Sequence, residues 1–143
     1  MTLNNITVAG SFDDIKEQAI KELTSAQFVI VGDLDYHKHF LQTINLHLHK
    51  HAVLVVDAPQ FSLRMLSVAS FEGEILPACV SIVEKYPGEV NISIANQSEV
   101  LADSHSDTIF ANVAREMGAL LSEAMSRVVM HESRNSHLIT SWH

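Results

Sequence analysis

Three histidines stand at every second position near the middle of the chain, at His47, His49 and His51. Alternate side chains of a β-strand point to the same face, so an extended stretch would bring the three imidazoles together. Alternate residues on a strand lie about 6.5 to 7 Å apart at Cα, and imidazoles at that spacing can converge on one ion when the strand twists. Neutral imidazole binds zinc, copper, nickel and haem iron. The pattern makes these residues the candidate metal or haem site of the chain.

A solvated strand face that uses histidine without binding anything is a second explanation of this pattern. No acidic or thiol ligand lies nearby in the sequence, and two or three ligands rarely complete a metal site. His37 and His39 could complete it if the segment before Asn45 folds back onto the strand. Both explanations stay open on the sequence alone.

Other residues offer less chemistry. Cys79 lies in a Val- and Ile-rich stretch, where we expect a buried and inert thiol, because reactivity needs a nearby cation or helix N-terminus. Asp57 precedes Ala58 and Pro59 and is expected to cap a helix rather than to act as a catalytic acid. The sequence has no P-loop, dinucleotide fingerprint, G-x-S-x-G elbow or H-E-x-x-H motif. The absence of these motifs favours a binding protein over an enzyme.

The composition indicates one folded domain. A chain of 143 residues with 47% hydrophobic and 18% charged residues is long enough to bury a single core. The net charge of -8 argues against binding to nucleic acid or to an anionic membrane, because both need clustered Lys and Arg. We therefore expect neither partner.

The N-terminal residues show no positive segment followed by an apolar one, so we expect no secretory signal. No run approaches the roughly 18 apolar residues of a membrane helix. The single cysteine cannot form an internal disulfide, which agrees with a reducing compartment. The sequence therefore predicts a cytoplasmic protein.

The elements that must position the histidines follow from local patterns. Ser11 stands three residues before Asp14 and is expected to begin the first helix. Gly32 is expected to bulge or bend the second strand, and Pro87 with Gly88 fits a type II turn of a hairpin. The predicted strands are at residues 6–8, 27–34, 46–56, 75–84 and 90–96, and the predicted helices at residues 12–25, 59–69 and 109–130, with a short helix in 35–45.

This order, β-α-β-(α)-β-α-β-β-α, predicts a single α+β domain with a mainly antiparallel sheet and helices packed on one face. Residues 104–107 offer a capping-box start for the last helix. We place the domain at residues 1–130 and a polar, histidine-containing C-terminal tail at 131–143. Trp142 in that tail could anchor on a partner subunit.

Several local strings, in this order, resemble the DUF302 family of small domains of unknown function. They are SFDDIKEQAIKEL in the first helix, VLVVDAPQF at the third strand and its following helix, EILPACVSIVEKYPGEVNISIAN in the hairpin, and NVAREMGALLSEAM in the last helix. The resemblance covers roughly residues 6–129 and implies a homodimer, but it implies no activity. Many members carry Cys-Asn-Pro where this chain has Asp57, Ala58 and Pro59, and Leu-Pro-Cys where it has Leu76-Pro77-Ala78, so a thiol-based function is not carried over.

Three hypotheses follow for the function. The first is a non-enzymatic homodimer that binds a small ligand or a protein, using a polar sheet face that contains Asn91, Ser93 and the histidine side of the third strand. The second is a metal or haem carrier that uses His47, His49 and His51. The third, and weakest, is an enzyme whose site is assembled across a dimer.

Overall fold

The computed structural model describes residues 5–68, 77–98, 100 and 108–141. Its strands are β1 (Asn5–Ala9), β2 (Val29–Asp35), β3 (His51–Asp57), β4 (Ala78–Tyr86) and β5 (Glu89–Ala95), and its helices are α1 (Phe12–Ser25), α2 (Tyr36–Ile44), α3 (Pro59–Val68) and α4 (Thr108–Ser141).

The strands form one antiparallel sheet in the order β1-β5-β4-β3-β2. Helices α1, α3 and α4 pack on one face of this sheet, and the core lies between the two layers. On the sheet side the core consists of alternate residues of the central strands, such as Ala52, Leu54, Val80 and Ile82. The predicted α+β class, element order and one-sided helix layer are confirmed.

Helix α1 begins where the sequence predicts. The Ser11 hydroxyl accepts a hydrogen bond from the backbone N–H of Asp14 at 3.2 Å, which satisfies one of the free N–H groups of the first turn. Ile15, Ala19 and Leu23 recur at intervals of four residues and are all buried. Capping and periodicity thus agree on the same boundary.

The hairpin of β4 and β5 has a two-residue turn at Pro87 and Gly88. Gly88 has a φ of +88°, which is the left-handed conformation that a type II turn requires at this position. Strand β2 is bulged as predicted: Ile30 pairs with Val56 and Gly32 with Val55, so Val31 is the extra residue.

Helix α3 differs from its prediction at two points. The carbonyl of Ala58 accepts the first helical hydrogen bonds, from Phe61 and Ser62, so Ala58 and not Asp57 is the N-cap residue. The apolar residues of 61–68 lie around much of the circumference of this helix, and the pattern predicts a well-covered helix. Met65 is buried, but Leu63 is 65% exposed, because α3 packs chiefly against α4 on one side.

Helix α4 continues to Ser141 and does not end near Met130. No Gly or Pro follows Gly118 in the sequence, so nothing in the backbone chemistry stops the helix there. The predicted capping box at 104–107, the predicted end of α3 at residue 69, and Trp142 lie outside the described residues. The division into a domain at 1–130 and a tail at 131–143 stays a prediction.

Within the described part of the chain, no helix is both long and apolar enough to cross a membrane.

Candidate functional site

The three candidate histidines do not share one strand face. Strand β3 begins at His51, whereas His47 and His49 lie in the irregular segment 45–50 and are exposed. The reason is tertiary: β2, the neighbour of β3, passes into α2 at Tyr36, so the residues before His51 have no partner strand on that side. The prediction that the strand carries all three imidazoles is wrong.

His37 is the histidine that the fold brings to β3. Its Nδ1 atom accepts a hydrogen bond from the backbone N–H of His51 at 3.0 Å. The Tyr36 ring lies 5.2 Å from the His51 ring, measured between centroids, and the His37 ring packs edge-on against Phe12 at 5.5 Å. Burial, and secondly the charge of His37, lower the pKa of the His51 imidazole. The segment before Asn45 therefore folds back, but to anchor α2 on the start of β3.

These histidines do not form a metal-ligand cluster. His39 is exposed on α2, where its ring lies against Phe40 at 5.6 Å between centroids. Over the residues that the structure describes, no group of three or more His, Cys, Asp and Glu side chains is arranged to hold a metal ion. Metal or haem binding by His47, His49 and His51 stays a prediction from the sequence, without geometric support.

A charged cluster joins α1 to the adjacent end of β2. The Lys16 ammonium lies 2.9 Å from carboxylate oxygens of both Asp33 and Asp35, and Lys38 lies 3.4 Å from Asp35. Burial alone would raise the pKa of Asp35, but the hydrogen bond and charge of Lys16, with those of Lys38, outweigh it and lower that pKa. Burial alone would lower the pKa of Lys16, and the two carboxylates instead raise it. The charges of this cluster are paired with one another, and the ion pairs link α1 to β2.

The sheet face opposite α1, α3 and α4, which we call the reverse face, is not covered by these three helices. Residues that pair across neighbouring strands point to the same face of the sheet. The register of the five strands therefore continues this surface across the whole sheet. Its aliphatic half, on β2, β3 and β4, carries Leu34, Val53, Val55, Val83 and Cys79. Its polar half, towards β1, carries Asn5, Thr7, Ser81, Asn91 and Ser93.

The sequence pattern predicts a polar reverse face, and this is only partly correct. Val53 and Val55 are half-buried there without a helix above them, and Leu34 is 41% exposed. Of the three histidines that were predicted on the third strand, only His51 lies on it. The signal that could have revealed the aliphatic half is the unbroken apolar run Ala52–Val56, because such runs are typical of strands that are buried on both faces.

Asn91 lies in the polar half with an unusual environment. The residue is 8% exposed, its Nδ2 donates to the Ser93 hydroxyl at 3.2 Å, and its Oδ1 is buried without a hydrogen-bond partner among the described residues. A buried amide oxygen that accepts no hydrogen bond costs about 1 to 3 kcal/mol. The reverse face thus contains an acceptor that is shielded from water and still unsatisfied.

Cys79 pairs with Val55 on one side and with Ala95 on the other, which places its side chain on the reverse face near the end of the sheet where β4 begins. It is partly buried rather than fully buried as expected. It belongs to the same surface as the valines around it.

The chain is similar to proteins of one family. A family model described as a domain of unknown function, DUF302, matches residues 4–128. The crystal structure of an uncharacterized conserved protein DUF302 from Bacillus stearothermophilus has a TM-score of 0.74 with this chain at 18% identity, and the match covers 87% of this chain and 95% of that chain. At this identity the likeness concerns the fold. No curated protein matches this sequence significantly.

Proposed function

This chain belongs to the DUF302 family, and on that premise we propose that it is a non-enzymatic homodimeric binding domain in which a second copy covers the reverse face. Family membership supplies no activity, because the domain is described only as one of unknown function. The proposal rests on the surface of the sheet.

The apolar composition of β3 is the observation that carries the proposal. Ala52, Leu54 and Val56 face the helices and are fully buried, while Val53 and Val55 face the opposite way. A strand with aliphatic residues on both faces is typical of a sheet that is covered on both faces. Helices α1, α3 and α4 cover one face, and α2 reaches the other at His51, so a second layer over Val53 and Val55 would complete the packing.

The arrangement of the reverse face suits a protein interface. Specific interfaces have an apolar centre and a polar rim, with few charges at the centre. The side chains around Val53 and Cys79 are aliphatic or small, and the titratable residues of β3 that border them, His51 and Asp57, lie at the two ends of the strand. A second copy could also supply a hydrogen-bond donor to the Asn91 Oδ1 atom, which would remove the cost of leaving it unsatisfied.

A charge placed on the reverse face tests the proposal. We expect Val55→Lys to convert the protein from dimer to monomer in light scattering at micromolar concentration, because it buries an ammonium group in the apolar part of the interface. Leu63→Lys on α3 is the matched control: Leu63 is exposed on the other side of the molecule, and the variant should stay dimeric. Circular dichroism checks that both variants are folded.

Equal masses for the two variants would count against the proposed interface. A reverse face that serves as a pocket, or as a surface for another protein, would leave the wild-type chain monomeric. The metal or haem alternative and the cytoplasmic location stay predictions from the sequence, since no observation on the described residues favours them.

A further inference from the structure

A cavity of about 300 Å³ lies at the end of the sheet where β3 ends and β4 begins, between the sheet, α3 and α4. Its buried lining residues lie on the helix side of the sheet, and Asp57 lies at its edge, where β3 ends and the Asp57 side chain meets Ser62 on α3. Ligand pockets in proteins have volumes of about 300 to 1,000 Å³, so this one would hold a small compound. We infer that it binds a small organic cation, with the ammonium group at Asp57 and an apolar body against the buried methionines.

The inner wall of the cavity is apolar. It is formed by Val56, Met65 and Met117, all of which are buried. The thioether of methionine is polarisable and flexible, and it makes favourable contacts with aromatic rings. This wall would accept an aliphatic or aromatic group and offers no partner for a polar one.

The polar contribution comes from Asp57, the last residue of β3, and Ser62 on α3. The Ser62 hydroxyl donates to the Asp57 carboxylate at 3.3 Å. Among the described residues no Lys, Arg or His side chain pairs with Asp57. Because a carboxylate only accepts hydrogen bonds, the matching ligand group is a donor, and a cationic donor forms the strongest such bond.

The entrance is formed by residues that the backbone directs outward. Val31 is the extra residue of the β2 bulge, it lines the cavity, and it is 59% exposed. Pro77, just before β4, also lines the cavity and is exposed. Bulges commonly re-aim a side chain beside a binding site. Here the bulge places an aliphatic side chain at the rim, between solvent and the buried methionines.

The charge of the protein favours the same ligand class. The net charge of -8 attracts cations and repels anions at long range, and the carboxylate at the cavity does so at short range. Together with the cavity volume, this favours small amines with an apolar body over carboxylates and phosphates.

Methyl signals of methionine provide a direct test in the full chain. The probes are benzylammonium and 2-phenylethylammonium, with 2-phenylethanol as the neutral analogue and 3-phenylpropanoate as the anionic one. We expect the two ammonium probes to shift the ¹³C-methyl resonances of Met65 and Met117 with a Kd of about 1 mM. Met125 is buried but does not line the cavity, so its resonance is the internal control and should not move.

The Asp57→Asn variant tests the role of the carboxylate. It keeps the shape of the side chain and should weaken binding of the ammonium probes about tenfold, the fold-change for loss of one charge-assisted hydrogen bond. Asp13→Asn removes the same charge at an exposed position on α1 and should leave the Kd unchanged.

Three results would overturn the inference: no ammonium probe moves the Met65 and Met117 signals, the alcohol or the carboxylate moves them as strongly, or Asp57→Asn binds as tightly as wild type. The comparison of the three probe charges uses wild-type protein and so holds even if a variant does not fold. The result does not depend on the proposed dimer, which is measured by mass in solution.

Discussion

The Nδ1 atom of His37 lies 3.0 Å from the backbone nitrogen of His51 and accepts a hydrogen bond from that N–H group. This bond joins the first turn of α2 to the first residue of β3, which are 14 residues apart. Helix α2 has no fully buried side chain of its own. A single imidazole therefore supplies a main contact that holds this helix at the end of the sheet.

Removal of that imidazole should destabilise the protein. His37→Ala leaves the His51 N–H without its acceptor, and we expect a loss of about 1 to 3 kcal/mol in the free energy of unfolding, measured in urea. His39→Ala is the control on the same helix, since that side chain is exposed, and its effect should stay within about 0.5 kcal/mol. Equal losses for the two variants would show that the bond contributes nothing.

The stability of the fold should fall below neutral pH because of His51. Its pKa in the folded state lies below the ordinary value of 6.5, owing first to burial and then to the charge of His37. The unfolded chain therefore binds this proton more readily, and stability is lost as the pH falls from about 6.5 through the folded-state pKa. Urea unfolding of wild type and His51→Gln between about pH 8 and pH 5 measures this. We expect a flatter profile for the variant, and superimposable profiles would contradict the assignment.

Lys16 should matter far more than its exposed neighbour Lys21. Lys16→Met removes the cation that bridges Asp33 and Asp35 and leaves only Lys38 beside Asp35, and we expect a loss of about 1 to 3 kcal/mol near pH 7. Lys21→Met breaks only an exposed pair with Glu17 on the same helix, for which about 0.3 to 0.5 kcal/mol is expected.

The effect of Lys16→Met should also depend on pH. The pKa of Asp35 is lowered from 3.8 in the folded state, so the stability it contributes is present above 3.8 and is lost as the pH falls through the folded-state value. The difference between wild type and Lys16→Met should therefore shrink in acid. A difference that stays constant down to about pH 2 would contradict the role of this carboxylate.

Gly88 should resist substitution for a backbone reason. An added Cβ would meet no atom within 4 Å, but the φ of +88° is unfavourable for L-residues. We expect Gly88→Ala to cost about 1 to 2 kcal/mol in thermal or urea unfolding. Gly88→Asn should cost less, because Asn tolerates positive φ better than Ala. A larger cost for Asn would indicate a steric cause instead.

The parts of the fold that follow local rules could be predicted from the sequence. Ser11 marks the start of α1 by its own hydroxyl, Gly88 fixes the hairpin turn by its φ, and Gly32 marks the bulge of β2. Each of these signals depends on residues within a few positions of each other. They were therefore enough to give the order of the elements and the antiparallel hairpin.

The candidate site could not be predicted in the same way, because it depends on contacts between distant segments. Where β3 begins is decided by β2, which turns into α2 at Tyr36 and leaves His47 and His49 outside the sheet. The cavity joins Val31, Asp57 and Met117 from three parts of the chain. No spacing pattern in the sequence predicts that these three residues lie together.

The central claim is that a second copy covers the reverse face, and the mass of the wild-type chain in solution tests it most directly. Sedimentation equilibrium at micromolar concentration should give twice the 15.8 kDa of one chain. We expect the monomer to become populated only on dilution or in the Val55→Lys variant. A wild-type mass of one chain across this range would contradict the account.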